Sequence, residues 1–313
     1  MGATIAKSTK GPYSHVMLYL GDTLIHAEPG GVWSKNPQRL IADDPTRLGA
    51  FRLEEGLTGI ELDQIEIYAR TNIGALYSIP QAVLSARKSK KRSANDKQFC
   101  SRLVAQCYQN AGISIVEFPD FCTPNQISKS DLLAPIENCV RQATDGDIRF
   151  SKTVDYNLEL QKETFTWLKK VRNLSEQHGL RPISNQNDVG HLVLENPHLD
   201  LTIYNYVTAT KYPTLYDADR RKNPWRYESS SFLQKIISQP SPRDALARQK
   251  EINQSNIERH EKNLAAAIPQ AASGLKYFEI DLILTKNILN EMYLWREAII
   301  QAERYLSVES GSA

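Results

Sequence analysis

Val16, Leu18 and Leu20 alternate with Met17 and Tyr19, and a second short apolar run covers Thr23 to Ala27. Period-two patterning on either side of Gly21-Asp22 predicts a β-hairpin, with His15 at the entry of one strand and His26 near the end of the other. Further on the period changes. Leu103, Val104, Cys107, Tyr108 and Ala111 recur at three- and four-residue spacing, which predicts an amphipathic helix, and Gly112 stands where a terminating glycine belongs. Cys100 therefore falls in the first turn of that helix.

Downstream of Ala143-Thr144-Asp145-Gly146-Asp147 the pattern becomes mainly helical. Leu158, Phe165, Leu168, Val171 and Leu174 mark one amphipathic helix that ends near His178-Gly179. Leu199 to Tyr204 reads as a strand, and Lys211 to Trp225, rich in Tyr, Asp and Pro, as an ordered loop. Two long helices close the chain. Asp244–Ala267 carries a thin stripe of Leu246, Ile252, Ile257 and Leu264, and Leu275–Leu306 a richer one of Ile288, Met292, Trp295 and Ile299. They predict a helical hairpin packed on the N-terminal part, with a protein partner for this half as the sharper alternative. Two domains are expected, 1–146 and 147–313.

Composition narrows the function classes. A length of 313 residues is enough for well-buried cores, and a net charge of +2 creates no bulk field that calls for nucleic acid or an anionic membrane. No run approaches the roughly 20 apolar residues of a membrane helix, and Met1–Lys7 lacks the apolar centre of a signal peptide. Ala6 stands where a myristoylation signal carries Ser or Thr. A cytoplasmic protein is expected, with export by a specialised machine as the alternative. Four cysteines in a chain of this length do not make a disulfide framework, which agrees with a reducing compartment. Metal-ligand spacing, a phosphate-cradling glycine loop and internal repeats are all missing, so no metal or organic cofactor is expected.

The chemistry-bearing residues are Cys100 and His15. A thiol becomes a competent nucleophile on losing its proton, and a helix N-terminus and a neighbouring imidazole both favour that loss. The first-turn amides that favour a thiolate could afterwards hold an oxyanion. Cys107 lies on the apolar stripe, and Cys122 and Cys139 lack a suitable basic neighbour, so all three read as small core residues. Arg87, Lys88, Lys90, Lys91 and Arg92 place five positive charges ahead of Cys100. A solvated loop is the common fate of such a run, and a gate steering an acidic substrate or lipid headgroup toward the thiol is the functional alternative.

Tyr-Ser-His-Val, a short strand, Gly-Asp, a second strand, Ala-Glu-Pro-Gly-Gly-Val and the later Phe-Cys-Ser-Arg-Leu-Val-Ala together resemble one family. They look like the circularly permuted branch of the NlpC-type papain-like cysteine hydrolases, which includes YiiX-like bacterial proteins and the lecithin:retinol acyltransferase group. The resemblance covers roughly the first 140 residues. Leu48–Leu53 resembles the strand that follows the hairpin, Tyr68–Ser78 the tyrosine region upstream of the cysteine, and Thr123-Pro124-Asn125 the segment after its helix. The Gly-Asp-rich strand that usually precedes the histidine is reduced to Met1–Ala6.

The resemblance implies an α+β fold: a permuted papain-like antiparallel sheet with a cysteine-bearing helix, followed by a mainly α-helical C-terminal domain. It assigns Cys100 as nucleophile, His15 as general base and His26 as the third polar residue that orients His15. Glu28, two residues on, competes for the third role, and Pro29, which interrupts strands, favours His26. The backbone amide of Cys100 would stabilise the oxyanion, with Tyr13 or Gln98 as a second donor. The expected activity is hydrolysis of an amide, in a peptide or a peptidoglycan fragment, through an acyl-enzyme. The acyltransferase relatives imply an acyl-lipid substrate instead, and a non-catalytic binding module is the alternative from another class.

Overall fold

The computed structural model describes residues 11–21, 23–78 and 97–311. Asp22, the basic run from Arg87 to Arg92 and the Met1–Ala6 segment lie outside the described residues. The fold is α+β, with small antiparallel sheets and a mostly helical C-terminal region. Two compact units divide the chain: Met1–Gln161 with Pro182–Asp188, and Lys162–Arg181 with Val189–Ala313.

In the first unit, β1 (Leu18–Tyr19), β2 (Leu24–Glu28) and β3 (Gly31–Lys35) form a three-stranded antiparallel sheet in the order β1-β2-β3. Pro29 and Gly30 make the turn between β2 and β3, so Glu28 remains paired, opposite Gly31. A proline in a turn loses no ladder bond, which is why Pro29 does not cut β2 short. Alternation sorts the side chains. Ile25, Ala27 and Val32 enter the core, while Leu24, His26 and Glu28 share the other face with Gly31, Trp33 and Lys35. β4 (Phe51–Leu53) pairs antiparallel with β5 (Leu133–Pro135) as a second, two-stranded sheet.

Among the described residues, four α-helices lie wholly within this unit. α1 (Gly59–Thr71) opens on a reciprocal capping box between Thr58 and Glu61, and α2 (Cys100–Asn110) has Phe99 at its N-cap with no side-chain cap bond. Leu103, Val104, Ala105 and Cys107 of α2 pack with Ile65 and Ala69 of α1 and with Ile25, Ala27 and Val32 of the sheet. Gly112 ends α2 at φ +80°, a left-handed position that suits glycine. α3 (Pro124–Ile127) has its own capping box, between Thr123 and Gln126. α4 (Asp145–Ser151) extends the unit past Gly146, where the boundary is expected from the sequence. Arg39 holds that extension. Its guanidinium donates to the carbonyls of Ser151 (3.1 Å), Thr153 (3.0 Å) and Val154 (2.6 Å), pairs with Asp155 at 3.8 Å and lies 4.9 Å from the centre of the Phe150 ring.

α5 (Tyr156–Gln177) and α6 (Gln186–Glu195) each span the division between the units. The second unit continues with α7 (Asp200–Thr208), α8 (Ala218–Lys222), α9 (Ser229–Ile237), α10 (Pro242–Ala271) and α11 (Lys276–Gly311). The strand expected at Leu199–Tyr204 is thus a helix. In a strand Leu201 and Ile203 would share a face, yet Leu201 is 61% exposed and Ile203 fully buried, and Asp200, Ile203 and Val207 follow the helical period. Asp200 also caps α11, accepting from the amides of Lys276 at 2.7 Å and Tyr277 at 2.9 Å.

α10 and α11 form the expected antiparallel hairpin. Asn253 donates to the Met292 carbonyl at 2.9 Å, and Lys250 pairs with Glu303 at 2.6 Å. The apolar stripe of α11 is covered within this unit: Trp295, Ala298, Ile299 and Ala302 pack with Phe232 and Ile236 of α9 and Leu246 of α10. The Arg226 guanidinium lies 4.5 Å from the centre of the Trp295 ring. Among the described residues no helix is long and apolar enough to cross a membrane. Trp295→Ala should cost about 3–5 kcal/mol of stability. Urea denaturation followed by helical circular dichroism measures the loss, and an unchanged midpoint would contradict this packing.

Candidate active site

Asn125, buried in the first turn of α3, ties the His15 segment to the cysteine side of the unit. The Tyr13 amide donates to its Oδ1 at 3.0 Å, and its Nδ2 donates back to the Tyr13 carbonyl at 2.9 Å. Gly11 permits the approach, because a Cβ there would come within 2.3 Å of the Asn125 carboxamide. Strand pairing begins only at Leu18; before that point the backbone serves the cysteine side. The Val16 amide is directed at the Cys100 sulfur. This explains why β1 is shorter than the alternation from Val16 to Leu20 predicts.

Cys100 is buried at the open N-terminus of α2, with the amides of Val16, Ser101 and Cys100 itself directed toward its sulfur. Ser101 is locked, its hydroxyl donating to the Cys122 carbonyl at 2.7 Å. These donors favour a thiolate, but burial outweighs them and raises the Cys100 pKa above the ordinary thiol value. The resting thiol is therefore protonated, contrary to the lowered pKa expected from helix position alone. Cys107 and Cys122 are core residues whose thiols burial pushes up to about 12, whereas Cys139, expected in the core, is exposed.

His15 and His26 are in contact. His15 Nε2 lies 3.0 Å from His26 Nδ1, with ring centroids 5.2 Å apart and planes at 83°. His26 is 3% exposed, directly opposite Trp33 on β3. Burial first, then the charge of nearby groups, lowers both imidazoles to about 4. For His15 the neighbours are His26 and Lys35, which lower it, and Glu28, which raises it; for His26 the neighbour is Lys35. Two neutral rings share one proton in their contact, so one nitrogen donates and the other accepts. Among the described residues no hydrogen bond joins the His15 ring to Cys100; the link between the two segments is the Val16 amide.

The remaining expected site residues divide. Glu28 shares the β2 face of His26 and acts on His15 through its charge, so both candidates for the third role adjoin His15, and His26 makes the direct contact. Tyr13 and Gln98 are occupied elsewhere. The Tyr13 ring packs edge-on against Phe51 at 5.9 Å with its hydroxyl over Gly49, and the Gln98 amide donates to Asn72 at 3.2 Å and Gln106 at 3.0 Å. Gln98 thereby joins a partly buried network in which Tyr68 donates to Gln106 and Gln106 to Asp120. Both hydrogens of the Gln98 amide and the Tyr13 main-chain amide are thereby engaged within the fold. Arg87, Lys88, Lys90, Lys91 and Arg92 lie outside the described residues.

Three residues near the site escape sequence reasoning. Asn125 is one. Tyr77, brought beside Gln98 by a parallel bridge, is half-buried, and burial together with the charge of Cys100 raises its hydroxyl to about 12. Lys35 is the third, a cation on the imidazole-bearing face of the sheet. Tyr77 has a faint signal in the sequence, as a tyrosine shortly ahead of the cysteine, but its pairing with Gln98 is decided by the fold. Among the described residues no group of His, Cys, Asp and Glu is arranged to hold a metal ion. In comparison with known proteins, the chain matches no family model, no curated protein and no solved structure.

The depressed imidazoles have a consequence for stability. Well above pH 6.5 both rings are neutral folded and unfolded, so they contribute no difference. As pH falls from 6.5 toward 4, the unfolded chain takes up protons that the folded rings refuse, and stability falls. The loss is on the order of 3 kcal/mol for each imidazole by pH 4. The double variant His15→Gln/His26→Gln should flatten this acid slope. Urea midpoints between pH 7 and pH 4.5 measure it, and equal slopes in both proteins would remove the assignment.

Proposed function

We propose that the first unit is a cysteine acyl hydrolase of the permuted papain-like type, working through Cys100, His15 and His26. The observation that carries this reading is the His15–His26 contact at 3.0 Å, made one residue before the amide that reaches the Cys100 sulfur. In this reading His15 Nε2–H donates to His26 Nδ1, which leaves His15 Nδ1 free to accept the thiol proton. The thiolate attacks an acyl carbonyl, and the amide of Cys100 with the Tyr77 hydroxyl holds the oxyanion. His15 returns the proton to the departing amine or alcohol. It then takes a proton from water, whose oxygen hydrolyses the thioester and restores the thiol.

Because the resting groups are neutral, the thiolate forms only when substrate is engaged, and general-base transfer replaces a standing ion pair. An amide substrate in a peptide or peptidoglycan fragment is the primary expectation, with a lipid acyl chain as the alternative and the cytoplasm as the place of action. One observation favours a second reading, a non-catalytic binding module: the Cys100 thiol is buried and protonated.

A panel of small amide, ester and thioester substrates, with intact-mass detection of an acyl group on Cys100, separates the two. Cys100→Ala should abolish turnover and adduct, His15→Ala should lower the rate about 10²–10⁴-fold, and Tyr77→Phe should cost about 10²-fold or somewhat more in kcat. Full activity of Cys100→Ala would overturn the reading, and absence of any adduct across the panel would support the binding module. The acid limb of kcat/KM should lie near pH 4 rather than 6.5, since His15 is lowered to about 4. A limb at the ordinary imidazole value would mean that the working site is more solvated than the resting one.

A further inference from the structure

We infer that Lys35 is the anchor for a substrate carboxylate, so that the preferred substrate is an acyl compound with a carboxylate a few bonds from the scissile carbonyl. This rests on the reading of Cys100 and His15 as the reacting pair. On β3, Gly31, Trp33 and Lys35 point to one face, opposite Glu28, His26 and Leu24 of β2. The face is therefore graded in charge: a carboxylate at the turn end, the imidazole pair in the middle, and an ammonium two residues beyond Trp33. Two residues of strand span about 6.6 Å, which sets the scale of separation along the strands between Lys35 and His26.

Lys35 is half-buried, its carbonyl accepts from the Thr23 hydroxyl, and its ammonium has no ion pair or hydrogen bond among the described residues. Glu28, the carboxylate on the same face, is opposite Gly31, four residues from Lys35 along β3, and does not neutralise it. A partly buried cation with no counterion from the protein is available to a ligand that brings one. A single ammonium is a point charge rather than a fork, which fits one carboxylate. Its field also falls on both imidazoles and helps to keep them neutral in the resting protein. A carboxylate at Lys35 cancels that field, so the bound substrate itself makes His15 a stronger base. The charged groups that act on the pair are Glu28 from β2 and Lys35 from β3.

The test uses the full chain and two alkylating probes that differ in charge, iodoacetate and iodoacetamide, with adduct formation at Cys100 followed by mass spectrometry. In the unmodified protein the iodoacetate-to-iodoacetamide rate ratio should exceed that of a free thiol. Lys35→Gln should lower the ratio about tenfold at low salt, and Lys35→Glu further. Lys129→Gln, which removes a lysine just after α3, controls for net charge and should leave the ratio unchanged. Equal ratios in the unmodified and Lys35→Gln proteins would overturn the anchor, whatever the turnover. If the ratio falls while no acyl substrate is ever turned over, the anchor stands and the hydrolase reading fails instead. Where turnover is found, a substrate carrying the carboxylate should lose about tenfold in kcat/KM in Lys35→Gln, while its neutral amide analogue loses little.

Discussion

The two hydrogen bonds between the Asn125 carboxamide and the Tyr13 backbone hold the candidate site together. They join residues 112 positions apart in sequence, and each satisfies a main-chain group that would otherwise be free to extend β1. Because Tyr13 is fastened to α3, the next residues run past the N-terminus of α2 rather than along β2, and the Val16 amide meets the Cys100 sulfur. His15 is carried with that segment into contact with His26. Removing the carboxamide would release this stretch to the sheet and part the two halves of the site, without altering Cys100, His15 or His26.

Burial governs the site's electrostatics. Amides converge on the sulfur, and a helix start that lacks a side-chain cap leaves its donors available, yet desolvation keeps the thiol protonated and both rings neutral. In the proposed hydrolysis, an arrangement that stores no charge at rest would develop it only with substrate engaged, in a low-dielectric setting where each fixed dipole counts for more than it would in water. Lys35 and Glu28, at opposite ends of one sheet face, bias that step in opposite directions. The chemistry proposed for the pair therefore depends on what a substrate brings to this face as much as on the pair itself.

The helical unit is organised on a different principle. Its long stripe on α11 is satisfied by α9 and α10, with Arg226 stacked against Trp295 and Asp200 capping the first turn. Periodicity makes such a hairpin visible in sequence, since a 3.6-residue repeat sustained over several turns fits a helix and does not fit a strand. It does not say which neighbour covers the stripe.

Local chemistry was enough for the elements with a strong period or a clear stop: β2, α2 ending at Gly112, α5 ending before Gly179, and the α10–α11 hairpin could all be read from neighbouring residues. Residue types and their order suggest pairing Cys100 with His15; among the described residues the contact made by the His15 ring is with His26. Leu199–Tyr204 misled, because alternating aliphatics satisfy a strand and a helix equally well over six positions, and burial of Ile203 and Val207 decided between them. Asn125, Tyr77 and Lys35 could not be found in this way. Their roles depend on contacts between segments far apart in the chain, and a sequence records spacing along the backbone, not the field or the hydrogen-bond partner that folding places beside a side chain. For the same reason the first-turn position of Cys100 suggested a thiolate, while the tertiary structure, by burying the sulfur, determined a thiol.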